Sequence, residues 1–203
     1  MNKTVDFFFD LGSPGSYLAW TQLPGLCARQ GATLRYRPML LGGVFQATGN
    51  ASPVMIPAKG RYMFTDLARF AERYGVPFGL PPGFPVNTLT LMRGAVGTQL
   101  RSPERFDALL AALFNGLFAQ RRNLGDNAVL DDTLSQGGFD PQAFRALAGD
   151  DEVKSALRHA TEAAVERGVF GAPTCFVGGE MFFGQDRLDF VEEALRQGAG
   201  SPT

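Results

Sequence analysis

The sequence predicts an α/β domain interrupted by an all-helical stretch, in the order β-α-β, helices, β-β-α. Three observations carry that reading. An apolar run from Thr4 to Asp10 ends in the turn-prone Leu11-Gly12-Ser13-Pro14-Gly15. From about residue 40 to 165 the regular elements read as helices alone, joined by irregular segments. Thr174 to Val177, Gly178-Gly179 and Met181 to Phe183 then read as a hairpin.

Taken in order, three consecutive Phe suit a strand covered on both faces, because a half-exposed strand would alternate. Ser13-Pro14 reads as a helix start: Ser is a favoured N-cap, and Pro fits the first helical position. That helix carries Tyr17, Leu18, Trp20 and Leu26 inward and stops at Gln30-Gly31, with Pro24-Gly25 predicting a kink or break. Thr33 to Met39 is a second strand, with Pro38 at its edge or end. Gly42 to Gly60, rich in Gly, Pro and Ala, reads as a long irregular segment of the kind that carries function. Tyr62, Leu67, Phe70 and Tyr74 are spaced for a helix ending at Gly75. A loop from Leu80 to Thr88 precedes a helix from Leu89. Phe106, Leu109, Leu113 and Phe118 form a further apolar stripe, and Pro141 and Glu152 each open one more helix. A last helix runs from Asp186 to Gln197, followed by a Gly/Ser/Pro tail.

The chain has 203 residues, with 19 Lys plus Arg against 20 Asp plus Glu and a net charge of −1. Nucleic-acid binders gather a basic excess, so that class is not expected. A hydrophobic share of 45% with 19% charged residues suits a globular core and excludes a disordered chain. No apolar run approaches the roughly 18 residues of a membrane span, so no membrane partner is expected. The first residues lack the pattern of a signal peptide, and two cysteines are too few for a disulfide framework. A cytoplasmic location is the expectation.

Ser13-Pro14-Gly15-Ser16 follows a strand and opens a helix. A thiol–disulfide oxidoreductase carries Cys-Pro-x-Cys at such a place, where the helix end lowers the first thiol's pKa. Here both cysteines are serines, so two-electron exchange has no thiol pair. A hydroxyl there can still donate to an anion and hold another molecule's thiolate; alternatively, Ser13 is only an N-cap. Gly168-Val169-Phe170-Gly171-Ala172-Pro173-Thr174 precedes the third strand. Alone it is a plain turn. In thioredoxin-like folds the matching bond to Pro is cis, and the preceding residue, here Ala172, keeps its N–H and C=O free to pair with an extended peptide.

The sequence resembles the bacterial 2-hydroxychromene-2-carboxylate isomerases, relatives of kappa-class glutathione transferases. The resembling residues are Phe8-Phe9-Asp10, Ser13-Pro14, Ser16-Tyr17-Leu18-Ala19, Gly49-Asn50, Pro57 to Met63, Phe84 to Thr88, Gly168 to Thr174 and Phe183 to Arg187. They cover nearly the whole chain in order. The resemblance implies a thioredoxin-like domain (βαβ…ββα), residues 1–40 and 166–203, interrupted by an all-helical insertion, residues 41–165. It further implies a homodimer that binds glutathione between the two parts and acts on a small aromatic substrate. By the same resemblance, Ser13 holds the glutathione sulfur, Lys59 meets the glycine carboxylate, and Asn50 meets the peptide. Ala172 and Pro173 meet the cysteinyl backbone, and Asp186 pairs with the γ-glutamyl ammonium; read from the residues alone Asp186 is an N-cap of the last helix, and the two roles need not exclude each other. Asn87 and Gly15 fall to the second-substrate pocket.

The family tends to carry a bulky residue before Ser13 and an aromatic at position 15. Gly12 and Gly15 stand there instead and are expected to open space around the sulfur. Cys175 reads as a core residue that could alternatively lie near glutathione, and Cys27 as a small buried apolar residue. The single His159 has no partners at metal-ligand spacing. Arg121-Arg122 reads as a solvated charge pair, and no phosphate-binding glycine fingerprint follows a strand.

Overall fold

The structure is a computed structural model and describes residues 3–198. Its sheet has four strands in the order β2-β1-β3-β4: β1 (Thr4–Phe9), β2 (Thr33–Pro38), β3 (Thr174–Val177) and β4 (Glu180–Phe183). β2 runs parallel to β1 and β3 antiparallel to it, so β1 lies at the centre. As expected, its phenylalanines are buried on both faces. Phe7 and Phe9 stack at 5.2 Å and join the larger core, while Phe8 turns to the other face with Met39, Val44, Ala164, Val169 and Phe176.

α1 (Pro14–Gln30) starts and stops where Ser13 and Gly31 predict, with Gly31 in the left-handed conformation. It runs unbroken through Pro24 instead of breaking there. Leu23, Leu26 and Cys27 are all buried and hold both halves of the helix against the core. Pro38 ends the edge strand β2, again as expected.

The segment from Gly42 to Gly60 is a correction. It is mostly helical: α2 (Leu41–Thr48), a 3₁₀ turn (Pro53–Met55) and the start of α3 (Pro57–Tyr74). Its glycines permit close packing. A Cβ on Gly43 would lie 3.1 Å from Thr161 Cγ2, and one on Gly60 would lie 3.2 Å from Val54 Cα. α4 (Leu89–Arg101) and α5 (Phe106–Phe114) follow, the latter widening into a π-helical turn over Asn115–Ala119. α6 (Asn127–Gln136) has no counterpart in the sequence reading; Asp126 caps it by accepting from Ala128 N and Val129 N at 2.8 and 3.1 Å. α7 (Pro141–Gly149), α8 (Asp151–Glu166) and α9 (Leu188–Gln197) complete the helices. The Gly/Ser/Pro tail lies, from residue 199 on, outside the described residues.

Asp6 ties β1 to its surroundings. Its carboxylate accepts from Arg37 Nε at 3.0 Å and from Arg167 at 2.9 Å, with Arg35 Nε at 3.0 Å. Arg167, just past α8, also lies 4.0 Å from the centroid of the Phe176 ring. Burial opposes the Asp6 charge, but Arg167, Arg37 and Arg35 together hold the carboxyl below its ordinary value. A carboxyl whose folded pKa is depressed stabilises the fold above its unfolded pKa and loses that contribution as pH falls through the folded value. Asp6→Asn is therefore expected to cost about 1–3 kcal/mol at pH 7. Urea midpoints of the two proteins should converge in acid, below the ordinary carboxylate range.

Candidate active site

Ser13 sits where the carboxyl end of β1 turns into α1. It is buried, and as the N-cap its Oγ accepts from Ser16 N at 3.1 Å. The same hydroxyl donates to the Ala172 carbonyl at 3.0 Å, across the cis Ala172–Pro173 bond. The sequence reading left that carbonyl free; in the structure Ser13 occupies it. Pro14 has no N–H, and the Ser16 and Tyr17 N–H groups are both taken by Ser13. The Gly15 N–H is thus the first-turn backbone donor left without a partner among the described residues, at the end of the helix where the dipole favours an anion.

Around this point lies a cavity of about 640 Å³. It brings together Ser13, Gly15, Asn50, Ala172, Pro173 and Asp186 of the residues singled out from the sequence. Asn50 donates to the Phe170 carbonyl at 2.8 Å and so joins the loop after α2 to the cis-proline turn. Asp186 lies on a 3₁₀ turn (Gln185–Arg187) and pairs with Arg187. It does not cap α9, whose N-cap is Arg187. Lys59, exposed on the first turn of α3, lines an adjoining depression that shares Pro53, Met63 and Asp66 with the cavity, and it has no ion-pair partner among the described residues. Asn87 is a correction: it is exposed, accepts from Leu89 N at 3.0 Å, and does not line the cavity, although Val86 and Thr88 beside it do.

The glycines also depart from expectation. A Cβ on Gly12 would lie 2.9 Å from Thr88 Cγ2, and one on Gly15 would lie 3.0 Å from both Pro173 Cδ and Gln185 Oε1. Neighbouring side chains fill the space that the two glycines were expected to leave open. The apolar wall is aromatic: Phe45, Phe84, Phe170 and Phe183 line it, the last two with centroids 4.6 Å apart.

Asp10 is the residue the sequence reading passed over. It is buried in the floor of the cavity and accepts three hydrogen bonds: Gly12 N at 2.7 Å, Thr88 Oγ1 at 2.8 Å and Leu41 N at 2.8 Å. These join the turn before Ser13 to the starts of α2 and α4. An Asp closing a buried strand with Gly two residues on is an Asx-turn signature, and that signal stands in the sequence.

Neither cysteine lines the cavity. Cys175 is buried in β3, where burial pushes its thiol well above the ordinary value, and burial raises Cys27 to about 11. Among the described residues no group of His, Cys, Asp and Glu could hold a metal ion, and no helix is long and apolar enough to cross a membrane.

A helix N-terminus facing a cis-proline turn across a β-α-β…β-β-α sheet defines a thioredoxin-like protein. Residues 4–196 match the DsbA-like thioredoxin domain, and the chain belongs to that family. It is 33% identical over 198 residues to the 2-hydroxychromene-2-carboxylate isomerase of Sphingobium xenophagum, covering 96% of this chain and 99% of that one. It is 28% identical over 205 residues to glutathione S-transferase kappa 1 of Rattus norvegicus, covering 95% and 91%. A solved 2-hydroxychromene-2-carboxylate isomerase superposes with a TM-score of 0.85 at 32% identity, covering 96% of this chain and 95% of that one. A probable DsbA oxidoreductase from Streptomyces coelicolor superposes at 0.73 with 20% identity over 100% of this chain and 92% of that one, a likeness of fold alone.

Proposed function

We propose that the cleft binds glutathione and that the protein is a glutathione-dependent isomerase of an aromatic-derived conjugated keto acid, of the 2-hydroxychromene-2-carboxylate isomerase type. The observation that carries this reading is Ser13, a hydroxyl in the place of a redox thiol, at a helix N-terminus and against the cis-proline turn. The residues present suit the group: an unpartnered Gly15 N–H, an unpaired Lys59 in the adjoining depression and a carbonyl at Ala172. Held there, glutathione would supply a thiolate nucleophile able to add reversibly to a conjugated carbon, which is the chemistry that lets a double bond rotate.

Ser13 has one proton to give. Turned toward the sulfur, it leaves the Ala172 carbonyl, which the backbone N–H of an extended peptide then takes up. Seating the peptide and freeing the hydroxyl are one exchange. The Gly15 N–H and the dipole of α1 favour the anionic form of the sulfur. Lys59 attracts the glycine carboxylate, Asn50 orders the peptide, and Asp186 shares its charge between Arg187 and the γ-glutamyl ammonium. The aromatic wall receives the second substrate.

Product analysis tests the reading. With a conjugated keto acid and glutathione, the expected result is a geometric isomer of the substrate with glutathione unconsumed. A stable conjugate and stoichiometric loss of glutathione would favour a kappa-type transferase, the reading that the similarity to kappa relatives supports.

A further inference from the structure

Behind α2 lies a second cavity, of about 540 Å³, which shares no lining residue with the first. α2 is the partition: Leu41, Gly42 and Phe45 face the cleft, whereas Leu40, Gly43, Gln46 and Ala47 face the rear, opposite α4 and α8. The rear wall combines an aliphatic part, Leu40, Ala47, Leu89, Leu157 and Val165, with polar and charged side chains, and one of these stands apart. Arg93 of α4 lines the cavity half-buried, its Nε is shut away from solvent, and it makes no hydrogen bond or ion pair among the described residues.

The two other cations of the wall and its one hydroxyl are engaged. Lys154 pairs with Asp151 at 2.9 Å, and Arg158 donates to Ser155 Oγ at 3.3 Å. The Thr161 hydroxyl donates to the Leu157 carbonyl at 2.7 Å and accepts from Leu40 N at 3.0 Å. Glu162 and Glu166 are exposed at the rim, and neither pairs with Arg93. A guanidinium is always charged, and its planar fork matches a carboxylate. Pockets for small molecules combine an apolar lining with a few such polar anchors.

We propose that this rear cavity is a second ligand site, independent of the glutathione cleft, that takes a small organic carboxylate: the acid group on Arg93, the hydrocarbon body against Leu89, Leu157 and Val165. The distinguishing feature is charge specificity. An acid should bind and the alcohol of the same length should not bind comparably.

Calorimetric titration with octanoate tests it, with octanol as the uncharged control. The expected result is saturable one-to-one binding of octanoate that persists in saturating glutathione and weakens at least tenfold in Arg93→Gln. Ala47→Phe, an exposed position on the cavity wall, should block octanoate while leaving glutathione binding unchanged. Equal affinity for octanoate and octanol, undiminished binding in Arg93→Gln, or displacement by glutathione would overturn the proposal. So would the absence of octanoate binding, including the case in which Arg93→Gln splits a dimer and the cavity is a contact between two copies. Because glutathione binding is read separately, failure here leaves the reading of the cleft untouched, and the converse holds.

Discussion

Ser13→Ala is expected to lower turnover by about 10²–10³-fold, the usual scale for removing one donor aimed at charge that changes along the reaction. The fold should survive. Loss of the N-cap costs about 1 kcal/mol, and the Ala172 carbonyl, which loses its 3.0 Å donor, can pair with water or with the incoming peptide. Thermal unfolding checks that the variant is folded, and steady-state rates at saturating glutathione read the chemical step. Ser13→Thr keeps a hydroxyl at an N-cap that tolerates it and should recover most of the activity. If the alanine variant turned over at the wild-type rate, Ser13 would be an N-cap and nothing more.

Asp10→Ala should be the most damaging change to stability near the cleft, costing about 2–5 kcal/mol. It strands two backbone donors, Gly12 N and Leu41 N, and releases the Thr88 hydroxyl. Three segments then lose their common anchor: the turn that presents Ser13, the start of α2 and the start of α4. Burial is the largest influence on the Asp10 carboxyl and raises its pKa, while Leu41, Gly12 and Thr88 pull it down; the net direction is up. An acid with a raised folded pKa binds more protons folded than unfolded between its two pKa values. Its contribution to stability therefore declines as pH rises through that interval. Asp10→Asn removes this titration and should flatten that part of the profile, which denaturant melts across acidic pH would read.

The fold was legible where local signals and burial agree. The Phe7-Phe8-Phe9 run, the Ser13-Pro14 start, the Gly31 stop and the Gly178-Gly179 hairpin are each set by short-range chemistry, and the structure has all four. α2 was not legible, because Leu41-Gly42-Gly43 has the composition of a loop. Its helix is fixed from outside, by Asp10 on the Leu41 N–H and by close approach of Gly43 to Thr161 on α8. α6 was missed for a different reason: its cap, Asp126, precedes a short helix with buried Leu130 and Leu134 that is partly covered by neighbouring helices.

The candidate site divides along the same line. Ser13 and Pro173 are readable because a helix start and an Ala-Pro-Thr turn are local features. That Gly12 and Gly15 are filled by Thr88, Pro173 and Gln185 depends on residues far away in the chain, and no spacing announces it. Asn87 went astray by one position's worth of orientation: it lies between Val86 and Thr88, which do line the cavity, and turns outward to hold Leu89 N.

The central claim is that α1 and Ser13 hold a bound thiolate. Its most direct test is a titration of glutathione into the wild type and Ser13→Ala, with thiolate ultraviolet absorbance followed across pH. Bound glutathione should ionise about one unit or more below the ordinary cysteine value of about 8.5 in the wild type, and the shift should shrink in the variant. Binding as an unperturbed thiol, or the same shift in both proteins, would contradict it.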